Sequence, residues 1–254
     1  MSTQANGATP ILEVHNLHKA FGNLLATRNV SFKIQPGELK AVIGPNGAGK
    51  TTLFNLITGA LAPTSGQIYF QQDEISGLTP FVIARKGLAR SFQLLNLFPN
   101  LTVFENVRLA VQVNHKQKHS LLAKAQSLNG IREKTEVLLE RVGLSRYANQ
   151  QASKISYGDQ RALEIGLALA TEPKLLLLDE PTSGMSPLES HDIAELIQSI
   201  SSDLTVLLIE HHIDMVMALA DSILVMHYGE KLAEGSARQV ANDARVQEAY
   251  LGGL

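Results

Sequence analysis

A glycine-rich run, Gly44, Pro45, Asn46, Gly47, Ala48, Gly49, Lys50 and Thr51, lies between a short apolar stretch (Leu39–Ile43) and a segment carrying Leu53, Leu56 and Ile57 at helical spacing. No other feature constrains the fold as tightly. A chain that passes from a buried strand through such a turn into a helix aims successive backbone N–H groups, and the helix N-terminus, at one point. Glycine is needed because only a residue without Cβ lets main chain approach an anion so closely. Lys50 adds a compact positive charge suited to β- and γ-phosphates. The Thr51 hydroxyl can enter the oxygen shell of Mg2+, and Thr52 continues the same first helical turn. The run predicts a nucleoside triphosphate site in an α/β sheet.

A second apolar strand, Lys174–Leu178, ends in two carboxylates, Asp179 and Glu180. Open α/β sheets place ligands at the carboxyl ends of their strands. Asp179 could hold Mg2+, directly or through water, and Glu180 could poise a water for in-line attack on a γ-phosphate. Read alone, the pair could also be a strand leaving into solvent before Pro181. Three other residues are equally open on their own: Phe21 reads as a core aromatic, Gln93 as a surface amide, and His211, after the strand Leu204–Ile209, as a capping or core histidine. His212 is read as structural.

Composition narrows the partners. Charged residues are 18% of the 254 and the net charge is −2, so no general basicity calls for nucleic acid. The lack of cysteine excludes disulfides, thiolate metal sites and a cysteine nucleophile. Met1 to Pro10 is polar and no signal peptide is expected. The longest apolar stretches, Leu175–Leu178 and Leu204–Ile209, fall far short of the roughly 20 residues a membrane helix needs. Action at a bilayer would require another subunit.

Along the chain, residues 1–9 read as a disordered lead-in to a single domain spanning 10–254. Strands at Ile11–Val14, Val30–Ile34 and Gly66–Phe70, with a turn at Pro36 and Gly37, predict a partly antiparallel region. Helical periodicity follows in Thr102–Val113, Gly130–Val142 and Tyr157–Ala170, the last with Leu163, Gly166, Leu167 and Ala170 on one face. This predicts an inserted helical subdomain. Strand–helix repeats, Lys174–Leu178 with Ser186–Ile200 and Leu204–Ile209 with His211–Ala220, then predict a parallel sheet covered on both faces. Residues 114–130 hold His115, Lys116, Lys118, His119 and Lys124 without an acid. They read as a solvated basic loop, or as a docking surface for a partner or anionic headgroups.

The run Ile155, Ser156, Tyr157, Gly158, Asp159, Gln160 resembles the Leu-Ser-Gly-Gly-Gln signature of ATP-binding-cassette (ABC) ATPases. The neighbouring motifs stand in that family's order from about Ile11 to the C-terminus. Phe21 resembles its adenine-stacking aromatic, Gln93 its Q-loop glutamine, Ser183–Ser186 its D-loop and His211 its switch histidine. Tyr157 and Asp159 depart from the usual signature. A tyrosine there resembles the ATPases of branched-chain amino acid importers, as do the ending Glu248–Gly252 and the extra segment near 114–130.

The resemblance implies a P-loop ABC-ATPase fold: a mostly parallel core sheet flanked by helices (11–92 and 171–230) with an N-terminal antiparallel β subdomain. It further implies an inserted α-helical signature subdomain (93–170) and a helical tail (231–254). It implies ATP and Mg2+ as ligands, Gln93 as a Mg2+ or water ligand, and His211 as a γ-phosphate donor. Ser156, Gly158 and Gln160 would complete the ATP site of a second ATPase subunit, identical or paralogous. The implied setting is the cytoplasmic face of the inner membrane, with integral permease subunits and, indirectly, an extracytoplasmic solute-binding protein. A soluble ABC ATPase acting on nucleic acid or ribosomes, or the ATPase of a lipopolysaccharide, urea or amide system, are the alternatives. A small-molecule kinase with the same phosphate loop would leave Ser156, Gly158 and the Asp179–Glu180 pair unexplained.

Overall fold

The computed structural model describes residues 9–91, 97–114 and 121–251. Residues 1–8, Gln93 and residues 115–120 of the basic segment lie outside them. In chain order the elements are β1 (Leu12–Phe21), β2 (Leu24–Ile34), β3 (Leu39–Ile43), α1 (Lys50–Ile57), β4 (Ser65–Phe70), β5 (Asp73–Glu74) and α2 (Pro80–Arg85). Next come β6 (Leu88–Arg90), α3 (Val103–Asn114), α4 (Leu121–Arg141), α5 (Tyr157–Leu169), β7 (Leu175–Asp179) and α6 (Pro187–Ser201). The last are β8 (Thr205–Ile209), α7 (Ile213–Leu219), β9 (Ser222–His227), β10 (Glu230–Gly235), α8 (Ala237–Ala241) and α9 (Ala244–Leu251). They form two compact units, one from the chain up to Leu88 and from Ser201 onward, the other from Ala89–Ile200.

In the first unit β3 lies between β8 and β9, parallel to both, with Ala41 opposite Leu208 and Ile223. All five β3 residues are buried, as a strand covered on both faces requires. One of them is a lysine. Lys40 donates to Ser222 Oγ at 2.6 Å and pairs with Glu234 at 2.9 Å and Glu38 at 3.3 Å, so its charge is matched inside the sheet. Burial works to raise the Glu234 pKa, but hydrogen bonds from Lys231 and Lys40 prevail and hold it low. A separate antiparallel sheet runs β2-β1-β4-β5.

The first two strands are longer than the sequence pattern shows. Register shifts in β1 between Val14 and Leu17, with Asn16 at φ 46°, break the two-residue alternation that would have revealed them. The expected helical tail also needs correction, since its opening residues form β10 and pair antiparallel with β9. Tyr228 (φ 46°) and Gly229 (φ 81°) make a two-residue hairpin turn with both central residues left-handed, which matches the twist of the flanking strands. Helices α8 and α9 follow.

The second unit contains β6, β7 and α6 as well as α3–α5. The Ser91 N–H donates to the Leu177 carbonyl at 2.9 Å, tying β6 to β7. Leu175, Leu176, Leu177 and Leu178 are fully buried, each contributing about 1.5–3 kcal/mol of hydrophobic stabilisation. Helix α5 is buried nearly all round rather than along one stripe, because Arg161 and Glu164 also turn inward and pair at 2.9 Å. Helix α4 begins at Leu121, so residues 121–130 are helical where a loop was expected. Their leucines, alanines, Lys124 and Gln126 are strong helix formers despite the irregular apolar spacing.

Candidate functional site

The phosphate loop leaves β3 and enters α1 in the first unit. A Cβ on Gly44 would lie 2.2 Å from the Met226 carbonyl oxygen, and one on Gly49 2.3 Å from that of Ala26. Both glycines are therefore imposed by neighbouring backbone. Gly47 has open space around it and is required by its φ of 80°. Gly49, left-handed at φ 96°, caps α1, and its carbonyl takes the first helical bond from Leu53 at 2.9 Å. The next N–H groups in that turn, including those of Thr51 and Thr52, have no acceptor within the helix, as at any helix start. Pro45 and Asn46 lie toward the loop's outer side, and buried Ala48 accepts from the Gly229 N–H at 3.0 Å, anchoring the loop to the β9–β10 turn. Lys50 is buried, and its Nζ donates to the Gly44 and Pro45 carbonyls at 2.6 and 3.1 Å.

Phe21 ends β1 with 46% of its surface exposed, which rules out a core aromatic and leaves a face open for a planar ligand. Lys19 Nζ lies 5.1 Å from its ring centroid. His211 is exposed directly after β8, and its position is set by a residue that sequence reasoning missed. Buried Glu210 accepts from the backbone N–H groups of His211 at 2.9 Å and His212 at 3.4 Å. A carboxylate at the end of an apolar strand was the available signal, as it was for Asp179.

The second unit holds Asp179 and Glu180. Asp179 is 2% exposed, with Arg90 Nη2 at 2.6 Å from its Oδ2. Arg90, in the three-residue strand before Gln93, was not singled out from the sequence. Glu180 is a non-glycine residue at φ 50°, where the Ser183 N–H closes a turn on its carbonyl at 3.1 Å. That conformation costs on the order of 1–3 kcal/mol and is a feature of functional sites.

Ser156 caps α5. Its Oγ accepts from the Asp159 N–H at 3.1 Å and donates to Asp159 Oδ2 at 2.8 Å. This explains one departure from the usual signature: an acid at the third helical position completes the cap and suits the helix dipole. The other departure, Tyr157, accepts from Arg161 Nη2 at 3.1 Å, and a Cβ on Gly184 would touch its ring at 4.0 Å. Gln160 turns back, donating from Nε2 to the Ile155 carbonyl at 3.1 Å, so in this structure it braces the loop.

Glu189, at the start of α6, was also missed. Its carboxylate accepts from Ser186 Oγ at 2.7 Å, from the Ser186 N–H at 3.0 Å and from the Gly158 N–H at 3.3 Å. A Cβ on Gly158 would stand 3.1 Å from Glu189 Cγ. The Ser186 hydroxyl, followed by the Ser186 and Gly158 N–H groups, holds the Glu189 carboxyl below its ordinary 4.5. A depressed pKa means the contact is present at neutral pH and lost as pH falls through the folded value. The amide proton shift of Gly158 is expected to titrate with a midpoint below 4.5. A Gly158 shift unchanged down to full carboxyl protonation rejects the contact.

The glycine cradle fits a triphosphate. Among the described residues no three His, Asp or Glu side chains stand together to hold a metal alone. The Thr51 hydroxyl of the first unit and the Asp179 carboxylate of the second are each of the oxygen-donor type that Mg2+ takes beside substrate phosphates.

Residues 27–183 match the family model described as ABC transporter, and the chain belongs to that family of ATP-binding cassettes. Residues 230–253 match a narrower model, described as branched-chain amino acid ATP-binding cassette transporter. The chain is 43% identical to the high-affinity branched-chain amino acid transport ATP-binding protein LivG of Escherichia coli (strain K12), covering 96% of this chain and 98% of LivG. It is similar to the solved ADP conformation of an ABC transporter cassette, with TM-score 0.83, 32% identity and coverage of 96% and 100%. A dimeric post-hydrolysis cassette bound to ADP and Pi matches with TM-score 0.75 and 26% identity over 89% of this chain and 99% of that one. The fold is that of an ABC ATPase, a family whose cassettes hydrolyse ATP, form dimers and work with the membrane components of transporters. Among the described residues no helix is long and apolar enough to cross a membrane.

Proposed function

We propose that this chain binds and hydrolyses ATP as the nucleotide-binding subunit of an importer of branched-chain amino acids or related small solutes. What supports the reading most is that its likeness to LivG extends through both the cassette and the C-terminal residues 230–253. The phosphate loop, Gly44 to Thr52, receives the triphosphate, Phe21 stacks on adenine and Lys50 contacts the β- and γ-phosphates. Thr51 and Asp179, with Gln93 as a further ligand to the ion or to its water, would hold Mg2+, which when bound would screen charge on the phosphates. Glu180 accepts a proton from the attacking water, and His211 donates a hydrogen bond toward the γ-phosphate.

Ser156 and Gly158 act on the nucleotide of a second ATPase subunit, with Gln160 bracing them. To do so, the Ser156 O–H must leave Asp159 and the Gly158 N–H must leave Glu189. These exchanges make hydrolysis depend on the dimer. The chain works on the cytoplasmic face of the membrane, bound to permease subunits that a solute-binding protein loads. The deciding experiment purifies the intact assembly and measures its ATPase activity with binding protein and each candidate solute. Stimulation by leucine, isoleucine or valine is expected; stimulation only by other solutes rejects the substrate class, and co-purification with ribosomes or DNA instead of permease rejects transport.

A further inference from the structure

The carboxylate of Asp179 is already matched by a cation. Its side chain is 2% exposed, and Arg90 Nη2 stands 2.6 Å from Oδ2 on a side chain that is itself only 11% exposed. Both residues belong to the second unit. The contact is built into the sheet, where β6 and β7 are neighbours. The Ser91 N–H donates to the Leu177 carbonyl at 2.9 Å, so the residue after Arg90 is joined by backbone to the residue two before Asp179. Ser91 and Leu176 to Leu178 are buried, which fixes both strand ends.

A carboxylate taken out of water needs a positive charge beside it. At the end of an apolar strand, a metal ligand kept ready without its metal is therefore costly, and the neighbouring guanidinium offsets that cost. The same pairing acts against the metal. A guanidinium and a divalent ion on one carboxylate repel each other where little water screens them, so one must yield. We infer that Arg90 is an internal counter-ion that Mg2+ has to displace from Asp179, so that this arginine weakens the metal's hold and sets how strongly nucleotide binding depends on Mg2+. Arg90 is a positioning residue, acting through Asp179. The inference rests on the reading of Asp179 as a metal ligand and deepens it.

The test compares the full chain with Arg90→Gln, which removes the charge and keeps a donor for the carboxylate, and with Arg90→Lys, which keeps the charge. Calorimetry gives the dissociation constant of a non-hydrolysable ATP analogue in EDTA and in Mg2+, and the first divided by the second measures what the metal adds. In Arg90→Gln this ratio is expected to rise about tenfold, the cost of breaking one charge-assisted hydrogen bond, with binding in EDTA changed less than about twofold. The same variant should melt at a lower temperature without nucleotide or metal, because the buried carboxylate has lost its counter-ion. Arg90→Lys should stay within about threefold of the parent ratio, since it retains the charge but not the planar fork. A lower melting temperature with an unchanged or smaller ratio makes the pair merely structural and overturns the inference. So does a ratio raised only by weaker binding in EDTA, which makes Arg90 a phosphate contact, or one raised equally by Arg90→Lys. The unaltered chain gives a reading that depends on no variant folding: its Arg90 Nε–H signal in nitrogen–proton NMR should move when Mg2+ is added to the chain saturated with the analogue, and an unmoved signal overturns the displacement. Asp179→Asn tests the reading underneath. It should lower the ratio, and an unaltered ratio removes Asp179 from the metal site whatever Arg90→Gln does.

Discussion

Replacing Glu180 by Gln is expected to cut ATP turnover at least a hundredfold, roughly the contribution of a positioned general base, while ATP affinity changes less than about twofold. The substitution keeps the shape of the side chain and removes only its capacity to take a proton. It also leaves undisturbed the left-handed turn at φ 50° that carries residue 180. Glu180 follows the buried Asp179–Arg90 pair, so the turn starts from a fixed strand end. With binding intact and hydrolysis stopped, an ATP-bound dimer should accumulate, visible as a doubled mass in light scattering. Single-turnover measurements separate the chemical step from release. Equal hydrolysis rates in variant and parent would remove Glu180 from the mechanism, and a variant that neither binds ATP nor dimerises would point to a collapsed turn.

The site divides into a part that sequence displays and a part that it conceals. The phosphate loop is legible because its geometry makes demands on single residues: Gly44 and Gly49 face backbone carbonyls that exclude any Cβ. The buried strands Leu39–Ile43 and Leu175–Asp179 are legible for a related reason, since burial on both faces leaves an apolar run, interrupted only by Lys40 in the first and ended by Asp179 in the second. Arg90 is different. It reaches Asp179 across 89 residues of sequence, and nothing in its own neighbours marks it for burial. Lys40 shares that character, as does Glu189 in its contact with Gly158, being charged groups with partners brought in by topology.

Irregular backbone conceals as well. The register shifts that break the alternation of β1 hid seven residues of a ten-residue strand, and the Tyr228–Gly229 turn lacks the Asn-Gly or Asp-Gly pair that would have announced a hairpin. The signature shows both behaviours. Ser156 and Gly158 were recognised by type and spacing, yet the occupied state of their donors appears only in three dimensions. Asp159 and Glu189 already accept the hydrogen bonds that a second subunit's nucleotide would claim. The cassette therefore satisfies its own signature, and in the proposed dimer the opposing nucleotide would have to displace two carboxylates. A triphosphate does so by charge and by number of oxygens.

Lys50→Ala is expected to weaken ATP by about 10- to 100-fold, the range for losing a hydrogen bond to a charged group. The ammonium sits in a buried slot bonded to the Gly44 and Pro45 carbonyls, so it is held at the loop before any nucleotide arrives. Little side-chain entropy remains to be lost on binding, and that preorganisation makes the contact count. The loss should fall most heavily on ATP, less on ADP and hardly on AMP, because in the proposed site the charge serves the β- and γ-phosphates. Lys50→Arg should not restore it. A planar guanidinium is broader than an ammonium and cannot occupy the same slot while keeping both carbonyl bonds. Calorimetry of the three nucleotides decides the matter. An equal loss for AMP would mean that the loop itself had unfolded, whereas undiminished ATP affinity would take Lys50 out of the site altogether.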